Sequence, residues 1–430
     1  MHRGPRLVLA LGVALGGAVV WGFATHRSGL VASSYLVYHH AALAVLAGES
    51  LYAAPPPSHP GFTYMYPPAT VLAYVPLALL PWRIGLAIQT LATLAAVAVL
   101  AGICVRTLRD LGVEVTRVDL GLVTGFCLLS PTAFPSVAFG NVNLLLAAAV
   151  AVGLAALEAD RQWAGGLAAP WAHREWVAGA ALGAVAAVKV FPALLGVWLL
   201  RRRSVRGVVG AILTGAGVLA VGLLVFGLET TVYYVTDVLF PRAGGDEFVA
   251  VTETRRAFLT LHRPLLLLVD LGPVGLVALS VAVVAPLVGY CYTTVATPLD
   301  RLVAAFVTVA AALVVVPSYY VYYPLVFYPL IPLLYLLDGR PRVLVLAGGV
   351  LGTFAVTMRS ADALEALLPR GVAGPALDGL DAILTVVTPP TLGLVVAMLG
   401  CCLYVRLRRI GRHQGVPSPP GSAAGEPQTA

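Results

Sequence analysis

The one lysine of this chain sits where a lysine is costly. Lys189 lies in AAVKVFPALL, between the apolar stretches 177–188 and 191–200, while Arg fills 26 of the 27 basic positions. A charge at membrane depth costs roughly 2.5–3.5 kcal/mol on insertion scales, so it is kept where it faces a cavity or a partner. Pro192, three residues on, interrupts a helix and frees backbone groups for a buried site. Two readings follow. Lys189 snorkels from a helix end, or it is a compact cation holding an anionic ligand such as a phosphate, helped by the helix start that follows it.

Other residues fit the same chemistry. Arg255, Arg256, His262 and Arg263, in TETRRAFLTLHRPL, form either a second phosphate clamp or an interfacial anchor. Tyr319 and Tyr320, in PSYYVYYP, fit the aromatic belt of a membrane protein or a face that stacks on a sugar ring. His39 and His40 diverge by about 100° on a helix and cannot share a ligand, so one of them, His39, is assigned to a cavity. Asn141 and Asn143 flank a helix start beside Gly140, as caps or as partners of sugar hydroxyls. Glu49 is the only acid in residues 25–82, and Glu229, Asp237, Asp246, Glu247 and Glu253 follow in a later loop, Glu253 two residues from Arg255. No Asp-x-Asp motif is present, so no metal and no cofactor are expected.

These residues must be positioned by a membrane bundle. Hydrophobic residues make up 59% of the 430, charged ones 11%, and mean hydropathy is +0.91. Apolar runs of about 17–25 residues recur along the chain, which predicts an all-α, polytopic transmembrane bundle. The net charge of +7 does not point to nucleic acid, because the arginines cluster in short loops as topology signals do. The cysteines (Cys104, Cys127, Cys291, Cys401, Cys402) lie in or beside apolar runs without metal or redox spacing.

Arg3/Arg6, Arg106/Arg109/Arg117, Arg161/Arg174, Arg201–Arg206, Arg340/Arg342 and Arg406–Arg412 all fall inside on one condition. Residues 69–80 must stay on the outer side as a short helix, and 177–200 must form a hairpin of short helices turning at 189–192. The remaining spans are 7–24, 83–105, 118–133, 142–158, 206–227, 265–289, 301–316, 323–338, 342–357 and 383–405. The total is about twelve, within a range of roughly 10–13. Outside lie 25–82, 134–141, 228–264, 317–322 and 358–382; the first is long and carries interfacial helices. Residues 1–410 read as one integral-membrane domain and 411–430 as a disordered cytoplasmic tail.

Three ordered blocks resemble a known family. They are Tyr38, Gly48, Leu51–Tyr52 and Tyr66–Pro67–Pro68 in the first outer loop, then FGNVNLLL (139–146), then AVKVFPALL around Lys189. Together they are similar to the GT-C polyprenol-phosphate-sugar-dependent glycosyltransferases, nearest to family 87, whose members include α-mannosyltransferases. The resemblance covers roughly the first half of the chain and implies a GT-C-like bundle. It implies a polyprenyl- or dolichyl-phosphate hexose donor, with mannose the nearest sugar, and a glycan or glycolipid acceptor outside the membrane. It also implies inversion at the anomeric carbon and substrate-binding positions at Tyr38 and Tyr66. The family carries an acid near the start of the first outer loop, and that position is Ser34 here. A serine is a poor proton acceptor at neutral pH, so the resemblance leaves the role of catalytic base to another carboxylate, with Glu49 and Glu253 the candidates. Two alternatives stay open: a non-catalytic relative that binds lipid-linked sugars, and a transporter or flippase.

Overall fold

A computed structural model of the chain describes residues 2–25, 28–158, 172–240, 250–358, 361 and 370–413. Arg161, Asp246, Glu247 and residues 414–430 of the expected tail lie outside the described residues. Among the described residues the architecture is a helical bundle with a single two-stranded contact, β1 (Phe258–Leu259) antiparallel to β2 (Ser318–Tyr319). Among the described residues six helices are long and apolar enough to cross a membrane by length and composition, and shorter apolar helices accompany them.

The first half contains α1 (Arg3–Thr25), α2 (Ser33–Leu46), α3 (Val75–Ala78), α4 (Trp82–Asp110), α5 (Arg117–Leu129), α6 (Phe134–Phe139), α7 (Asn143–Ala156) and α8 (Ala172–Val188). Residues 69–80 form only a short 3-10 turn and α3, so α4 is the next long helix, as the charge pattern requires. Helices α1 and α5 run side by side in the same direction: Arg6 meets Asp119 at 2.8 Å near their starts, and Gly16 lies against Leu129 further along.

The second half contains α9 (Leu195–Arg201), α10 (Val205–Tyr233), α11 (His262–Leu266), α12 (Pro273–Cys291), α13 (Pro298–Val315), α14 (Phe327–Leu336), α15 (Gly339–Thr353), α16 (Arg370–Val386) and α17 (Pro389–His413). Helix α13 is central and almost wholly buried, whereas α10 is mostly exposed and faces outward along most of its length. Small residues let α8 and α10 touch backbone to backbone: a Cβ at Gly179 would meet the Gly207 carbonyl at 2.2 Å, and one at Gly183 the Ala211 carbonyl at 2.6 Å.

Ion pairs gather the Arg-rich helix ends at one end of the bundle. Asp119 accepts from Arg6 and from the Tyr335 hydroxyl at the end of α14. Glu158, just past α7, binds Arg202 after α9 and Arg301 in α13. Asp300 binds Arg408 in α17. These contacts satisfy charges that would otherwise be costly beside lipid.

Several boundaries differ from the sequence reading. The expected span 265–289 begins only at Pro273, because Pro starts a helix well and cannot extend the preceding one. The span 323–338 is divided into a 3-10 turn, Tyr320–Val326, and α14, where Pro324, Pro329 and Pro332 interrupt the hydrogen-bond ladder. The expected loop 358–382 contains most of α16, and α17 continues to His413, past the expected start of the tail. The 206–227 span ends where expected, at Gly227, whose φ of 78° breaks the helix before a further helical stretch to Leu239.

Candidate functional site

The end of the bundle opposite the ion pairs carries Lys189. Its backbone N–H closes the last turn of α8 on the Val185 carbonyl at 2.8 Å, and Phe191–Leu194 then tightens into a 3-10 turn with Pro192 at its start. The side chain turns inward and is 7% exposed. Its Nζ lies 3.6 Å from the ring centre of Tyr322 and 5.4 Å from that of Tyr66. Aromatic faces carry negative potential and attract a cation most strongly where water is excluded. The ammonium is thus seated on rings and does not snorkel to the surface.

The segment between α1 and α4 supplies one side of the seat. The Tyr66 hydroxyl lies 3.3 Å from that of Tyr38 on α2, and the Tyr52 hydroxyl donates to the Tyr66 carbonyl at 2.9 Å. Tyr64 and Tyr74 close on the Tyr38 ring, at 6.3 and 4.7 Å. Burial pushes the Tyr38 phenol well above its usual value, so it stays a neutral donor and acceptor. The other side comes from PSYYVYYP. Tyr322 stacks on Phe191 at 5.8 Å and meets Tyr319 edge-on at 6.2 Å. Tyr319 pairs with Phe258 at 4.6 Å, and nearby Arg256 holds Glu253 at 2.9 Å.

An apolar cavity of about 400 Å³ lies beside this seat, between α8, α9 and α10. Pro67, Ala186, Val190, Pro192, Ile212 and Tyr234 are among its lining. Pro67 and Val190, the chain neighbours of Tyr66 and Lys189, line it, whereas Lys189, Tyr66 and Tyr322 themselves do not.

The sequence profile of glycosyltransferase family 87 matches residues 64–317, more than half of the 430. The chain belongs to glycosyltransferase family 87. A solved structure, ArnT from Cupriavidus metallidurans bound to undecaprenyl phosphate, is similar at 15% identity over 93% of this chain and 81% of that one, with a TM-score of 0.40. No curated protein matches the chain.

In this family 87 chain the other candidate residues separate into groups. Asn141 accepts from the Asn143 N–H at 3.0 Å just before α7, while the Asn143 side-chain oxygen is buried without a hydrogen-bond partner. His39 is 7% exposed, lies against Tyr35, and has its Nδ1 buried without a partner. Burial lowers the pKa of His39, which favours neutral imidazole. Ser34 is half-buried in the first turn of α2, entered through Ala32 at φ 64°. Glu49 is exposed just past the end of α2.

Around the second loop the roles diverge. Arg263 is buried and directs its guanidinium to four carbonyls, of Val251, Leu384, Glu253 and Arg256, between 2.7 and 3.1 Å. Those bonds build the 250–266 loop. His262 is fully buried with Nε2 at 2.9 Å from the Val315 carbonyl. Arg255 and Arg256 are exposed. Tyr320 turns away from Lys189 and donates to the Val356 carbonyl at 3.1 Å.

Sequence reasoning singled out Tyr319 and Tyr320 and passed over Tyr322, the ring nearest the ammonium. The missed signal was spacing: in a 3-10 turn side chains three apart share a side, which groups Tyr319 with Tyr322. Tyr35 was also missed; its hydroxyl is buried against Gly85, without a hydrogen-bond partner.

Proposed function

We propose that this membrane glycosyltransferase moves a hexosyl residue, mannose in the nearest reading, from a polyprenyl- or dolichyl-phosphate donor to a glycan or glycolipid hydroxyl. The observation that carries the reading is the buried Lys189 ammonium, whose chain neighbours Ala187 and Val190 line an apolar cavity. A lipid monophosphate needs both parts: an apolar channel for its chain and one compact cation for its head. The positive-inside rule makes the Arg-rich end cytoplasmic, so the Lys189 end faces the extracytoplasmic side.

The reaction is a single displacement. The acceptor oxygen bonds the anomeric carbon as the carbon–phosphate-oxygen bond breaks, and the lipid phosphate leaves with the electron pair. The acceptor proton goes to a carboxylate, Glu49 or Glu253. Lys189 stabilises charge that grows on the leaving phosphate, which is where a preorganised cation contributes most. Tyr38, Tyr66, His39 and Asn143 supply neutral polar groups for sugar hydroxyls, and Arg255 and Arg256 add positive charge at the outer rim.

The test is transfer from radiolabelled polyprenyl-phosphate mannose in membranes carrying the chain, compared with Lys189→Ala. Labelled product that falls at least tenfold in the variant is the expected result. Ser34, at the position of the family's acid, favours one second reading, a donor-binding relative without turnover. Binding of the lipid phosphate with no transfer to any acceptor would establish it.

A further inference from the structure

We propose that Cys291 and Cys402 form a modification site, a dithiol that a peroxide converts to a disulfide joining α12 to α17. The two stand 111 positions apart in sequence, so no spacing rule groups them, yet their Sγ atoms lie 3.6 Å from each other. Packing aims the contact. The Cys402 thiol also donates to the Leu287 carbonyl at 3.7 Å, one turn before Cys291 on α12. A disulfide holds its sulfurs about 2.05 Å apart, so the pair must close by about 1.5 Å. Cys291 is the last residue of α12, ahead of a non-helical link to Pro298, and a helix end yields more easily than a helix interior.

The other cysteines do not compete. Cys401 adjoins Cys402 within α17, and neighbouring Cα atoms are about 3.8 Å apart, less than the roughly 4.4–6.8 Å that a disulfide spans. Cys104 and Cys127 are wholly buried in the core. Cys402 is partly exposed and Cys291 is not, which sets the order of reaction. The Cys402 sulfur attacks one peroxide oxygen and the O–O bond breaks. The departing hydroxide takes the thiol proton as water, and Cys402 is left as a sulfenic acid. The Cys291 sulfur then attacks the Cys402 sulfur, and the sulfenic hydroxyl leaves as water with the second thiol proton. Two thiols thus give two electrons and two protons to one peroxide, and one disulfide and two waters result. A small thiol reverses the bond by exchange. Cys402 lies one turn before Arg406, at the Arg-rich end of the bundle, where a small uncharged oxidant can arrive from water or from lipid.

The experiment treats the full chain in its membranes with hydrogen peroxide, removes the peroxide, denatures the chain and counts free thiols by maleimide–polyethylene glycol mobility shift. Of the five thiols, three should remain, and dithiothreitol should restore all five. Cys291→Ser should lose the disulfide and leave Cys402 as a sulfenic acid that a 1,3-diketone traps. Cys402→Ser should show neither the disulfide nor the trapped acid. Five thiols surviving peroxide, or the same loss of thiols in both serine variants, would make the contact packing alone and overturn the proposal. A band of doubled mass released by dithiothreitol would mean a bond between two chains and would overturn it as well. Should either variant fail to fold, peptide mapping of the oxidised wild-type chain decides: a link between 291 and 402 supports the site, and a link between any other pair overturns it.

Discussion

The carboxylate of Glu253 lies 2.9 Å from the guanidinium of Arg256, and both side chains are about half exposed. Exposed pairs of this kind contribute about 0–1 kcal/mol to stability. Glu253 can therefore be neutralised without unfolding the chain, which makes it a clean test of chemistry.

Glu253→Gln is expected to lower the transfer rate by about 10²–10⁴-fold if this carboxylate is the base. Glu49→Gln is its counterpart, on an exposed residue outside the helices. One of the two variants should collapse turnover with an unchanged thermal midpoint. Full activity in both, with no gain from Ser34→Asp, would exclude both carboxylates as the base.

Gly140→Ala is expected to destabilise the chain by about 1–2 kcal/mol from backbone strain alone. Gly140 holds φ at 66°, and a Cβ there would meet the Tyr35 Cβ at 2.8 Å and a Leu86 methyl at 3.0 Å. Displacing Tyr35 would shift α2 and the tyrosines it carries. A thermal-shift assay that finds wild-type stability would contradict this packing.

The stability of the Lys189 end of the bundle should fall in mild acid. Burial lowers the pKa values of His39, His40 and His262 in the folded state. The unfolded chain then binds more protons than the folded one below about pH 6.5, the ordinary imidazole value, so stability is lost as pH drops through that point. His39→Gln should flatten part of the dependence, measured as thermal midpoint against pH. A pH-independent midpoint in the wild-type chain would refute it.

Ser58→Cys tests the orientation. Ser58 is exposed in the segment between α2 and α4, at the end of the bundle away from the Arg clusters. A membrane-impermeant maleimide should label it in intact cells, and labelling only after permeabilisation would reverse the topology.

Much of the fold was legible because hydropathy and charge act locally. The short 69–80 segment, the hairpin turn at Lys189 and the break at Gly227 each follow from Arg placement, a proline or a glycine in the chain itself. The start of α12 and the division before α14 were less legible, since Leu265–Val269 and Tyr323–Val326 are apolar enough to continue a span. There proline chemistry overrode hydropathy.

The sequence by itself determined a multi-pass helical membrane protein, its family blocks and the singular place of Lys189. A bilayer allows few backbone solutions, and an isolated charge in an apolar run demands a partner. Only the tertiary structure decided what that partner is. Tyr66 and Tyr322 lie far from Lys189 along the chain, and which ring meets the ammonium depends on how three separate segments turn where they meet. The same holds for Arg263, which sequence groups with Arg255 and Arg256. Its burial among four carbonyls sets it to building the loop, because a buried guanidinium must satisfy its donors where the backbone places acceptors.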